Sequence, residues 1–152
     1  MLPAARSDYT LFVGIDVAAK TVTAAWTTDS TMSTRPVTIT QTPQGYTTLR
    51  AHLQATGHAP PTTLVVLEAT GTYWITLAMA LVEWGYAVSV INPQQAHNFA
   101  QALLKRAKTD AVDAQTLAHL AARLQPERWL PPPAVHTELQ QRLVHRDALV
   151  TL

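Results

Sequence analysis

Four carboxylates in this chain stand where a charge is either costly or crowded. Asp16 follows the apolar run Leu11-Phe12-Val13-Gly14-Ile15, inside what reads as a central strand. An unpaired charge there costs on the order of several kcal/mol unless something compensates it, and a cation is the simplest compensator. The plainer alternative is an Asp at a strand end that caps the turn at Ala18-Ala19. Glu68 closes the apolar run 63–68, so it emerges at the carboxyl end of a buried strand, where open α/β sheets place their ligands; a solvated strand-end Glu needs no such role. Asp110 and Asp113 are spaced i, i+3, which on a helix puts both on one face. Compensation of the helix dipole by first-turn acids explains that pair equally well in isolation. As a set, four hard oxygen donors suit Mg²⁺ or Mn²⁺, and two such ions side by side activate an attacking oxygen and stabilise a leaving one in phosphoryl transfer.

The elements needed to bring these residues together are legible as patterns. Residues 10–17, 20–28 and 34–40 alternate as three closely spaced strands, an antiparallel meander. Thr42-Pro43 opens a helix that carries Tyr46, Leu49 and Leu53 and ends by Gly57 and Pro60-Pro61. Strand 63–68, a helix over 73–84 stopped at Gly85, and strand 86–91 follow. The alternation after the meander predicts an α/β fold with a five-stranded mixed sheet and helices on its faces. After Pro93 the pattern is helical through Phe99 and Leu103-Leu104, then again over 109–124 with Thr109 as its expected cap. The proline-rich stretch 126–134 reads as a stiff linker that ends a core domain of residues 1–125. Residues 135–152 begin an amphipathic helix with Leu139, Leu143 and Val150 along one face, the expected start of a coiled coil.

Composition narrows the options. The chain has 152 residues, 47% apolar and 14% charged, which suits one globular core. It has no cysteine, so disulfides, thiolate metal sites and cysteine nucleophiles are excluded and an intracellular home is favoured. The apolar stretch 74–82 is too short to span a bilayer, and no basic-then-apolar leader precedes residue 10, so a cytoplasmic protein is expected. A net charge of +1 is by itself a weak argument for nucleic acid. The distribution says more: Lys105, Arg106 and Lys108 crowd just before Asp110, and Lys20 follows the Asp16 strand. Each could reach a phosphate, and each also suits a solvated surface. Tyr73 and Trp74 could stack on a base or pack in the core, and the six histidines show no metal-ligand spacing.

The strings GIDVAAKTVTAAW, VVLEATGTYW, GYAVSVINP and AKTDAVDAQTLAHLA, in this order, resemble the RuvC-like N-terminal domain of DEDD-type insertion-sequence transposases, the IS-one-ten-type recombinases also described as bridge-RNA-guided. The resemblance runs from about Leu11 to Leu152, and KTDxxDA with an upstream E-x-TG-x-Y is its specific part. It implies a ribonuclease H-like fold in which Asp16, Glu68, Asp110 and Asp113 form the metal-binding catalytic tetrad. It implies DNA and a guide RNA as partners, a homodimer or higher oligomer joined through the long helix, and work at the bacterial nucleoid. In that family a C-terminal domain supplies the serine that attacks DNA, and this chain ends before it, so an incomplete enzyme is expected. A standalone RuvC-type junction resolvase fits the length, and a module that holds DNA or RNA without cutting is a reading of another class. A sugar-kinase or actin-like ATPase half lacks its glycine-rich phosphate turn, because Val17-Ala18-Ala19 stands there.

Overall fold

In the computed structural model, which describes residues 8–29, 33–104 and 113–131, β1 (Leu11–Val17) lies at the centre of the sheet. Residues Leu11 through Ile15 are all buried, as a strand covered on both faces requires. It pairs antiparallel with β2 (Thr21–Thr27), which pairs antiparallel with β3 (Val37–Thr40). On its other side β1 pairs in parallel with β4 (Thr63–Glu68), and β4 with β5 (Ala87–Ile91). The order is β3-β2-β1-β4-β5, the mixed five-stranded sheet expected from the meander and the alternation after it, and consistent with the ribonuclease H-like fold that the resemblance implies.

Period-two alternation divides the core into two layers. Leu11, Val13 and Ile15 of β1, with Val65, Leu67 and Val88, face α1 (Pro43–Ala55) and α2 (Tyr73–Glu83) through Leu49, Leu53, Leu77 and Leu81. Phe12, Leu64 and Val66 face the other way, against α3 (Pro93–Leu104) and α4 (Ala114–Leu124) through Ala96, Leu117, Leu120 and Ala121. The α1 start follows its sequence signal: Thr42 accepts a hydrogen bond from the Gly45 N–H at 3.0 Å, and Pro43 takes the first helical position.

One feature differs from the pattern reading. The helix expected over 109–124 is α4, which begins at Ala114, because Asp113 has an extended backbone (φ −100°, ψ 178°) and caps it. Thr109 lies outside the described residues, as does the amphipathic helix expected over 135–152. Residues 126–131 are non-helical, as their prolines require, yet they lie against the domain. The Ser89 hydroxyl donates to the Pro126 carbonyl at 2.8 Å, the Trp129 N–H donates to the Val88 carbonyl at 2.6 Å, and the Trp129 ring meets Trp74 edge-on at 5.6 Å. Among the described residues no helix is long and apolar enough to cross a membrane.

Candidate active site

Asp16 and Glu68 come together because of register. Ile15 pairs with Leu67 in the parallel ladder, so the next residues, Asp16 and Glu68, end adjacent strands side by side and project to the α4 face. Both lie where that face runs out: Asp16 reaches solvent and Glu68 is half-buried, while Gly14 and Val66, two residues earlier, are fully covered.

The third carboxylate arrives by way of Gly14. A β-carbon on Gly14 would stand 2.2 Å from the Ala114 carbonyl oxygen and 2.2 Å from the Ala118 nitrogen, so the α4 backbone lies directly on the strand. No side chain fits between them. A glycine inside a strand is the usual mark of another backbone's close approach, and here the approach delivers the helix start, with Asp113, to Asp16 two residues along β1. The Asp113 side chain accepts the Thr116 N–H at 2.8 Å, so it caps α4 as well.

The electrostatics follow from this convergence. Burial pushes the Asp16 carboxyl above its usual range, and the Asp113 charge pushes it further the same way. Glu68 is also raised, first by burial and then by Asp16, with partial relief from a hydrogen bond to the Thr70 side chain. Asp16 thus stands between two acids, and among the described residues no lysine or arginine offsets the repulsion at either raised group. Carboxylates held together without a counter-charge are the donor chemistry that a hard divalent cation satisfies. Among the described residues, however, no three acidic or histidine side chains stand close enough to enclose one ion. The donor types therefore fit such an ion, while a closed coordination shell is not formed by the described side chains.

Of the other expected site residues, Lys20 is exposed in the β1–β2 turn, at the same end of the sheet as Asp16. Asp110, Lys105, Arg106 and Lys108 lie outside the described residues. Gly14 was not singled out from sequence as part of the site, and Thr70 reads from sequence as part of a structural turn, Thr70-Gly71-Thr72, beside Glu68. The signal for Gly14 was there, a glycine in the middle of an otherwise apolar strand; Thr70 carries no local signal beyond membership of a turn.

A family profile of transposases, the DEDD type of IS110 elements, matches residues 13–152. Two curated relatives, the pilin gene-inverting proteins of Moraxella lacunata and Moraxella bovis, are each 34% identical over 136 residues, covering 90% of this chain and 42% of their own length. The chain thus spans less than half the length of the curated relatives it matches. Among solved structures, Thermus thermophilus RuvC in complex with a Holliday junction substrate ("T. thermophilus RuvC") superposes with a TM-score of 0.47 at 13% identity, over 80% of this chain and 100% of that one. With the profile matched from β1 onward and the carboxylates Asp16, Glu68 and Asp113 at one end of the sheet, the chain belongs to the DEDD transposase family of the IS110 type.

Proposed function

We propose that this chain is the metal-dependent catalytic part of a DNA transposase or recombinase that acts on DNA phosphodiesters. The observation that carries the reading is the convergence of Asp16, Glu68 and Asp113 at the carboxyl end of the sheet without a counter-charge among the described residues. Asp110, three residues before the α4 cap, joins them as the fourth ligand, and together they hold Mg²⁺ or Mn²⁺, as two ions. Bound there, the ions supply charge stabilisation for the attacking and leaving oxygens of a displacement at phosphorus. The chain's own part is to hold the carboxylates close together and fixed: two on neighbouring strands, one on a helix start pinned by Gly14.

The relatives' name supports the substrate, because inverting a gene requires that DNA strands be cut and rejoined. Lys20, together with Lys105, Arg106 and Lys108, provides phosphate contacts. The remaining plan follows the family resemblance: a catalytic unit over residues 1–125, a linker over 126–134, a helix from 135 that joins copies of the protein, a serine-bearing domain elsewhere in the complete enzyme, and a guide RNA that directs it to DNA at the bacterial nucleoid.

Calorimetric titration of Mn²⁺ tests the metal site. The wild-type chain is expected to bind, and Asp16→Asn to bind at least about tenfold more weakly, a loss of roughly 1.4 kcal/mol. No binding by the wild type, or equal binding by the variant, would overturn the proposal.

A further inference from the structure

A row of polar side chains extends the acidic pair across the sheet. Asp16 is paired with Thr23 on β2, and Thr23 with Thr38 on β3. Directly opposed residues project to one face, and the two threonine hydroxyls are hydrogen-bonded to each other at 2.9 Å. Thr38 is exposed and Thr23 is partly so. With Glu68 on β4 the row crosses four strands, about 14 Å at the usual strand spacing, and it runs along the carboxyl end of β1.

Beyond Glu68 the chain makes an anchored turn. The Ala69 N–H donates to the Ile91 carbonyl at 2.8 Å, Gly71 takes a left-handed conformation (φ +62°), and the Trp74 indole N–H donates to the Gly71 carbonyl at 3.1 Å. Trp74 is held in turn by Trp129. Its neighbour Tyr73 is not: the first residue of α2, it is 52% exposed, and its ring lies beside the turn, 3.8 Å from where a Gly71 β-carbon would be. The ring stands half in water beside an anchored turn, five residues from Glu68, so one aromatic face is open to a ligand.

We propose that a single DNA strand lies across this edge of the sheet, its backbone running over Glu68 and Asp16 toward the Thr23–Thr38 pair, with an unpaired base stacked on the Tyr73 ring. The inference rests on the reading of the acids as a phosphodiester-cleaving site and adds to it the path and the strandedness of the substrate. Stacking on an aromatic face accepts any base but requires one that is free of its own duplex neighbour. The hydrogen-bonded Thr23–Thr38 pair keeps one hydroxyl proton to donate to a phosphate oxygen, without bringing a positive charge that would compete for the carboxylates. The arrangement therefore grips the strand on both sides of the acids and leaves the acids to the reacting phosphate.

The test uses the full 152-residue chain in Mg²⁺, with a fluorescein-labelled single-stranded oligodeoxynucleotide for affinity and a 2-aminopurine-containing one whose fluorescence is quenched by stacking. Tyr73→Ala is expected to weaken binding by at least about fivefold and to abolish the quenching, whereas Tyr73→Phe, which keeps the ring, retains both. Thr23→Val with Thr38→Val, which keeps shape and removes both hydroxyls, is expected to weaken binding about threefold with quenching intact. Unchanged affinity in either the alanine or the double-valine variant overturns the path, as does preference for duplex over single strand in the wild type. Failure of the wild-type chain to bind DNA of either form instead overturns the proposed function itself.

Discussion

Protonation and folding are linked at Asp16 and Glu68 with an unusual sign for carboxylates. Both are raised in the folded chain, by burial first and by a neighbouring acid second. The folded state then binds protons that the unfolded chain releases, so their contribution to stability is complete below the ordinary carboxylate range and is lost as pH rises through the raised values. The chain is expected to melt at a higher temperature at mildly acidic pH than at neutral pH. Asp16→Asn should reduce that difference, raising the melting temperature at pH ~7 while leaving the part due to the burial of Glu68; thermal scans of both proteins across pH decide it, and a variant no more stable than wild type at neutral pH contradicts the assignment. Asp113 separates structure from charge in the same site. Asp113→Ala removes the cap on the Thr116 N–H and should cost about 1 kcal/mol, whereas Asp113→Asn keeps an oxygen acceptor and should cost only a fraction of it. Both remove the charge facing Asp16, so both should bring the Asp16 carboxyl back toward its usual range when followed by carbon NMR. An Asp16 titration indifferent to Asp113→Asn would show that the two do not interact. Asp113 thus serves the helix start and the acidic group together: its Oδ1 caps α4 while its charge acts on Asp16.

The contact between β1 and α4 decides whether the acids meet, and it depends on one missing side chain. In Gly14→Ala the new β-carbon would collide with backbone atoms of Ala114 and Ala118, neither of which can swing aside as a side-chain end would. The helix must lift or slide, and overpacking of this kind costs about 1–3 kcal/mol or more. Since Asp113 rides on the helix start, the same substitution should weaken Mn²⁺ binding even though no ligand is touched. Circular dichroism melts together with calorimetry check both halves; a stable Gly14→Ala chain with unaltered Mn²⁺ affinity would mean that α4 does not fix the site. The strand and helix identities were readable because they rest on local periodicity: the alternation in β1 and the 3.6-residue spacing of Leu117, Leu120 and Leu124 are properties of single segments. The start of α4 was not. Thr109 and Asp113 are both good caps, each followed by helix-forming residues, and the sequence alone does not rank them. Docking on Gly14 is long-range, so it left only a glycine where a larger apolar residue would otherwise stand.

Across the whole molecule, the sheet order was legible because a meander followed by strand-helix alternation leaves few ways to lay down five strands, while the fate of residues 126–131 was not. Their prolines forbid a helix but say nothing about where an irregular segment rests, and it rests along the edge strand β5 through the Ser89–Pro126 and Trp129–Val88 hydrogen bonds. An uncovered edge offers unpaired backbone groups to other chains, and a strap that occupies it blunts that hazard. The strap also reaches the site by a short chain of contacts: Trp129 meets Trp74, Trp74 donates to Gly71, and Gly71 belongs to the turn between Glu68 and Tyr73. Trp129→Ala removes the edge-on ring pair, worth about 0.5–1.5 kcal/mol beyond burial. Because Trp129 is only half-buried, the total loss should stay below the roughly 3–5 kcal/mol of a fully buried tryptophan. For a domain of this size that corresponds to a melting temperature lower by about 2–4 °C per kcal/mol. If the strap supports the site as well as the edge, Trp129→Ala should in addition weaken the 2-aminopurine quenching that depends on Tyr73, while Trp129→Phe, which keeps an aromatic edge against Trp74, should restore much of both. A Trp129→Ala chain that melts with the wild type would instead mean that the segment after α4 is a linker throughout, with no part in holding the turn.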